Sequence, residues 1–130
     1  MIFRLLVSFL IGVLFPLSGV ELGIDRLFQP EFLPLVQGKK IGVATNHTGV
    51  SNTYEKTEHI FIKESTKGTC TLVCFFCPEH GFRGMEMACV AVDNEIHECG
   101  VPIYSLHGTT RRPTDTMLQG LDAIVFDLQD

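Results

Sequence analysis

Several features are scarce in this chain, and each scarcity narrows the range of protein classes to which it can belong. It has no tryptophan, no run of like charges, and only 19% charged residues. There is no low-complexity stretch and no internal repeat. The formal net charge of −5 argues against nucleic-acid binding, which needs a basic face. No Gly-x-Gly-x-x-Gly follows a predicted strand, so a dinucleotide site is disfavoured.

Apolar residues are plentiful, at 45% of the 130 positions, which is typical of one globular domain with a real core. The first twenty residues differ from the rest. Arg4 precedes an apolar stretch over residues 5–15, followed by Pro16, Ser18 and Gly19. This layout predicts a secretory signal peptide or an uncleaved N-terminal anchor over residues 1–20, with a domain over 21–130. A buried N-terminal helix is the alternative.

The chain has five cysteines, so at least one thiol lacks an intrachain disulfide partner. Cys74 and Cys77 form a C-x-x-C pattern within an apolar run. On a strand, an offset of three sends the two sulfurs to opposite faces, which disfavours a metal or redox site. We therefore interpret these cysteines as small buried apolar residues.

The remainder alternates predicted strands and helices, which indicates an α/β fold with a mostly parallel sheet. The helix over 53–64 has a capping-box pattern in Asn52 and Glu55, and Thr114 is a predicted cap of the helix over 114–120. Residues 24–36 contain two prolines and predict a broken helix. Strands are predicted over 39–45, 70–77, 101–106 and 122–129, with a long connection over 79–100.

Polar residues follow each predicted strand. Because the carboxyl ends of parallel strands meet at one edge, these residues predict a ligand site there. The most informative segment, Pro-Glu-His-Gly-Phe-Arg-Gly over 78–84, places a carboxylate, an imidazole and a guanidinium after an apolar strand. The other polar segments follow the first, third and fourth predicted strands. They contain Asn46 and Thr48, residues 107–112 and residues 127–130.

These segments resemble the NamZ-type exo-β-N-acetylmuramidases over residues 23–130. The resemblance implies a Rossmann-like N-terminal domain, here truncated after about four strands, with the second family domain absent. It implies hydrolysis of terminal N-acetylmuramic acid from peptidoglycan fragments, with Glu79 as the catalytic carboxylate and no cofactor. The matching motifs include Thr-Asn-His-Thr-Gly at 45–49, Pro-Glu-His-Gly at 78–81, Thr-Arg-Arg-Pro-Thr at 110–114 and Asp-Leu-Gln-Asp at 127–130. The family usually has tyrosine where His107 stands.

The chemistry assigns candidate roles along this edge. Glu79, among aromatic residues, is the predicted acid catalyst; the alternative is a structural acid that pairs with Arg83 or caps a turn. Asp127 is the candidate second carboxylate or a structural turn acid. Guanidinium groups suit the lactyl carboxylate of muramic acid, and polar side chains suit sugar hydroxyls. The candidate substrate-binding residues are Arg83, Arg111 and Arg112 for the carboxylate, and Asn46, Thr48 and His80 for the hydroxyls.

The leading hypothesis is therefore an exported glycosidase, periplasmic or extracellular, or its N-terminal fragment. Its expected partner is a peptidoglycan-derived saccharide, with a membrane contact only through an uncleaved N-terminal segment. The second hypothesis is a catalytically inactive saccharide-binding remnant of such an enzyme. A cysteine-based redox or metal protein ranks last. No metal and no cofactor are expected.

Overall fold

The computed structural model describes residues 19–87 and 90–129. Cys89 and Asp130 therefore lie outside the described residues, and so do residues 1–18 of the predicted leader. In chain order the elements are α1 (Gly23–Leu27), a 3₁₀ turn (Leu33–Leu35), β1 (Lys40–Thr45), α2 (Thr57–Thr66), β2 (Thr71–Cys77), β3 (Glu95–Ile96), β4 (Pro102–Ser105), α3 (Asp115–Leu118) and β5 (Ala123–Asp127).

The strands form one sheet in the order β3-β4-β2-β1-β5. The pairs β4–β2, β2–β1 and β1–β5 are parallel, and only β3 runs antiparallel, against β4. The predicted α/β class with a mostly parallel sheet is confirmed. The expectation of about four strands missed β3, because two residues carry no usable alternation pattern within the long connection.

The register aligns the carboxyl ends of the four parallel strands. Thr45 pairs with Asp127, and Cys77 pairs with Ser105. Since β1 lies between β2 and β5, the chain reverses its direction of travel across the sheet after β4. Such a reversal creates a topological switch point, where ligands bind in open α/β sheets. The polar segments after the strands therefore share one edge, as the sequence predicted.

Apolar side chains cover both faces of the sheet. On one face Ile41, Phe75 and Cys77 pack with Phe61 of α2 in the larger cluster. On the other, Cys74 packs in a smaller cluster with Ala44 and Phe76, under Leu121. A register shift between Ile41 and Gly42 leaves Val73 without a partner on β1. The predicted opposite facing of Cys74 and Cys77 is confirmed.

The prediction for the start of α2 is wrong. The helix begins at Thr57, and neither Asn52 nor Glu55 caps it. Instead the hydroxyl of Ser51 accepts hydrogen bonds from the backbone N–H groups of Thr53 and Glu55, at 3.3 and 3.0 Å. Serine hydroxyls stabilise such turns in competition with a helix. The capping pattern therefore belongs to a tight loop.

The other two helix predictions hold. α1 ends before Pro30, and the Thr114 hydroxyl accepts a hydrogen bond from the N–H of Met117 at 3.3 Å, capping α3. None of the described helices has both the length and the apolar character needed to span a bilayer. The cover is incomplete at the outer strand β5, where Phe126 pairs with Ala44 and is 73% exposed.

We predict that alkylation distinguishes the described cysteines. Cys70, Cys74 and Cys77 are buried and Cys99 is exposed, all as free thiols. Burial raises the pKa of all three buried thiols, that of Cys74 to about 11, which disfavours the reactive thiolate. Iodoacetamide at neutral pH should label Cys99 in the folded protein and the other three only in denaturant, as read by peptide mass spectrometry. Labelling of Cys74 at the rate of Cys99 would contradict the fold.

Candidate active site

The loop after β2 carries the Pro-Glu-His-Gly motif and is anchored by an aromatic side chain. Phe82 is 4% exposed and packs on Phe75, with ring centroids 4.9 Å apart. Its ring also meets His97 edge-on at 5.9 Å. Gly81 and Gly84 adopt positive φ, as does His80 with φ 69°. The buried ring thus holds a tightly turned loop whose polar side chains lie at the sheet edge.

Glu79 lies beside His107, which follows β4. Because Cys77 and Ser105 are paired and end their strands, the residues two positions further on are brought side by side. Glu79 Oε1 lies 3.7 Å from His107 Nε2. The Glu79 side chain is 41% exposed, whereas that of His107 is 10% exposed. A solvent-accessible carboxylate is therefore backed by a buried imidazole.

Arg111 contacts the same imidazole. Its Nη1 lies 2.7 Å from His107 Nδ1 and 3.3 Å from Nε2. Glu79, His107 and Arg111 thus form a continuous set of contacts across two loops. His107 was not among the predicted site residues. Its place in the polar segment after β4 was the available signal.

A cleft of about 320 Å³ opens on the loop after β2. His80 and Arg83 line it, together with Asp93 and Asn94. His80 Nδ1 lies 2.9 Å from the carbonyl oxygen of Glu86, an arrangement that requires the ring nitrogen to donate. Arg83 pairs with Glu98, at 3.5 Å, and Glu79 pairs with His107.

The remaining predicted carboxylate, Asp127, is engaged at the end of β5. Its Oδ2 accepts a hydrogen bond from the Thr57 hydroxyl at the start of α2. Its Oδ1 accepts another from Gln129 Nε2 at 3.0 Å. These contacts are those of a structural turn acid. A catalytic role for Asp127 stays a prediction.

Asn46 and Thr48 form the turn after β1. The N–H and the hydroxyl of Thr48 both donate to Asn46 Oδ1, at 3.1 and 2.6 Å. The Gln129 N–H donates to the Thr48 hydroxyl at 3.3 Å, which ties this turn to the end of β5. The adjacent His47 ring packs against Gly84, where a Cβ would overlap it. The β1 turn is therefore in contact with the loop that carries Glu79.

Arg112 has different surroundings from Arg111. It is exposed and lines a shallow hollow with Thr110 and Pro113. The Thr110 hydroxyl donates to the Arg112 carbonyl oxygen at 2.6 Å. Within the described part of the chain, no three His, Cys, Asp or Glu side chains are arranged to hold a metal ion.

Comparison with known proteins finds a family model and two relatives that this chain resembles. Residues 41–130 match the family model described as exo-beta-N-acetylmuramidase NamZ, N-terminal. The chain is 39% identical over 112 residues to the peptidoglycan beta-N-acetylmuramidase NamZ of Bacillus subtilis (strain 168). That alignment covers 85% of this chain and 26% of the relative.

A crystal structure of a DUF1343 family protein from Bacteroides fragilis NCTC 9343 has the same fold. It superposes with a TM-score of 0.68 at 37% identity, covering 85% of this chain and 26% of that one. The chain therefore spans about a quarter of the length of both relatives.

Proposed function

The chain belongs to the family of the exo-β-N-acetylmuramidase NamZ and matches its N-terminal domain. On this premise we propose that the chain is an exported glycosidase or the N-terminal fragment of one. The proposed reaction removes terminal N-acetylmuramic acid from peptidoglycan fragments. The Bacillus subtilis relative, named a peptidoglycan beta-N-acetylmuramidase, supports this choice of substrate. The charged and apolar pattern of residues 1–20 supports export, or retention at the membrane by an uncleaved segment.

One observation carries the proposal. Glu79 stands, partly exposed, at the edge where four strand ends converge, and the residue after it, His80, lines a cleft of about 320 Å³. Glycoside hydrolysis requires a carboxyl group that exchanges a proton with the leaving oxygen. Glu79 combines this position with solvent access and the family motif.

The neighbouring residues have roles suited to a sugar acid. Arg83 lines the cleft and offers its guanidinium to the lactyl carboxylate. His80 and the turn of Asn46 and Thr48 offer groups for sugar hydroxyls. Asp127 is the candidate second carboxylate, and its separation from Glu79 in the assembled site would decide retention or inversion.

A pair of chromogenic glycosides tests the proposal. We expect release of the chromophore from an N-acetylmuramic acid glycoside and much slower release from the N-acetylglucosamine glycoside, which lacks the lactyl carboxylate. Arg83→Gln should raise KM for the N-acetylmuramic acid glycoside alone. The difference in release rate between the two glycosides should therefore become smaller. Equal hydrolysis of both glycosides would overturn the assignment of the substrate. If neither glycoside is hydrolysed, the proposal that this chain is catalytic is overturned.

A second candidate is a saccharide-binding domain without catalysis. The hydrogen bonds that both Asp127 oxygens accept from Thr57 and Gln129 favour it, because they give this carboxylate a structural task. Calorimetry with a muropeptide separates the two candidates. Binding without release of muramic acid supports the binding domain, whereas turnover excludes it.

A further inference from the structure

We propose that Cys99 is a nucleophilic thiol, activated by His97 and Glu58, that exchanges with low-molecular-weight disulfides to form a mixed disulfide. His97 and Cys99 lie in the turn between β3 and β4, and Glu58 lies in the first turn of α2. None of the three has a role in the proposed hydrolysis. The inference is therefore independent of the proposed function.

The exposed thiol of Cys99 adjoins an imidazole nitrogen. Cys99 Sγ lies 3.1 Å from His97 Nδ1, and the Cys99 N–H donates to the same nitrogen at 3.2 Å. A backbone N–H can only donate, so Nδ1 is the acceptor in that contact. An imidazole nitrogen at this distance can take up the thiol proton and leave a thiolate beside it. The thiolate is the nucleophilic form of cysteine.

The other ring nitrogen faces a carboxylate. His97 Nε2 lies 3.7 Å from Glu58 Oε2, and the two side chains are 9% and 11% exposed. A negative charge at this distance from a mostly buried ring favours the imidazolium that proton transfer creates. Glu58 Oε1 contacts Lys56 Nζ and His59 Nε2, each at 3.5 Å, so Oε2 is the oxygen turned toward His97. A nucleophile, a base and a group that supports the base thus follow one another, which is the usual arrangement around an activated thiol.

The imidazole is held in place by aromatic packing and by the turn. The His97 ring lies 5.5 Å from the ring of Phe75 and 5.9 Å from that of Phe82, measured between centroids. The His97 carbonyl accepts a hydrogen bond from the Gly100 N–H at 2.7 Å. Gly100 has φ 85°, a conformation that a residue with a side chain rarely adopts. Ring and thiol are therefore held on the same tight turn.

The exchange needs no oxidant other than the disulfide. Cys99 passes its proton to His97 Nδ1, and the thiolate attacks one sulfur of the small disulfide. A new sulfur–sulfur bond forms as the old one breaks, and the departing thiolate takes the proton from His97. The products are a mixed disulfide at Cys99 and one molecule of the small thiol.

The turn also contacts the candidate active site. The His97 ring packs against Phe82, which anchors the loop that carries Glu79. Glu98, next to the thiol, pairs with Arg83 at 3.5 Å. A group attached to Cys99 therefore lies one residue away from a partner of the cleft-lining arginine.

The rate of mixed-disulfide formation at neutral pH tests the proposal. The probe is bis(2-hydroxyethyl) disulfide, which is uncharged, and intact mass spectrometry after acid quenching measures the product. All proteins carry Cys89→Ser, after which the remaining cysteines are the exposed Cys99 and the buried Cys70, Cys74 and Cys77. An ordinary thiol is only a few per cent thiolate at neutral pH. We therefore expect Cys99 to react about tenfold faster than an exposed thiol without a base.

Val20→Cys combined with Cys99→Ser supplies the matched control thiol. Position 20 is 91% exposed, and like position 99 it adjoins a glutamate in the sequence. His97→Phe keeps an aromatic ring in the packed turn and should lower the Cys99 rate to that of the control thiol. Glu58→Gln keeps the imidazole and should lower the rate by a smaller factor.

Three results would overturn the inference. They are a Cys99 rate equal to that of the Val20→Cys thiol, a full rate in His97→Phe, and a full rate in Glu58→Gln. The first and third need no substitution of the buried imidazole, so they decide the matter even if His97→Phe does not fold. No saccharide enters the measurement, and its outcome leaves the proposed hydrolysis untouched.

Discussion

Glu79→Gln is expected to lower kcat for the muramic acid glycoside by about 10²–10⁴-fold, because loss of a general acid or base removes that much rate. Glutamine has nearly the same shape as glutamate, so the side chain at position 79 stays in contact with His107. Substrate affinity should therefore change little. The side chain is 41% exposed, and the free energy of unfolding should therefore stay close to that of the unmodified protein. Initial rates with the chromogenic substrate give the measurement.

Glu31→Gln is the matched control for this prediction. Its side chain is 70% exposed and contacts Arg26 of α1, so the same loss of charge should leave kcat unchanged. A Glu79→Gln protein with full activity would eliminate Glu79 as the proton-transferring group. A similar loss in both variants would point to a general effect of charge instead.

Phe82→Ala is expected to lower the free energy of unfolding by about 3–5 kcal/mol, the usual cost of removing a buried phenylalanine ring. This is a large part of the roughly 5–15 kcal/mol that stabilises an ordinary domain. The ring is 4% exposed and packs against Phe75 and His97, so its removal leaves a cavity beneath the loop that carries Glu79. Urea unfolding followed by circular dichroism measures the change.

Phe61→Ala separates stability from loop anchoring. Phe61 is fully buried in the same core cluster, but it lies on α2 and packs against Phe28. Both variants should lose comparable stability. At a temperature where both are folded, only Phe82→Ala should also lose kcat. Equal activity in the two variants would show that Phe82 does not anchor the catalytic loop.

The parts of the fold that were predictable have long, uniform sequence patterns. The apolar runs of β1, β2, β4 and β5 are bounded by polar residues or glycine, so their approximate limits were readable. The two residues of β3 could not be predicted as a strand, since they become one only by pairing with β4. The start of α2 was misplaced because Asn52 and Glu55 fit a capping pattern locally. The Ser51 hydroxyl stabilises a turn there instead.

The amino-acid order alone placed Glu79, Asn46, Thr48, Arg111 and Asp127 along one edge of a parallel sheet, since strand periodicity and burial are local properties. Only the folded chain decided which of them meet. The pairing of Cys77 with Ser105 brings Glu79 to His107, and the turn after β4 brings Arg111 to the same ring. Asp127 is drawn instead to Thr57 and Gln129. Such partners are distant along the chain, and strand register, which depends on the packing of the whole sheet, selects them.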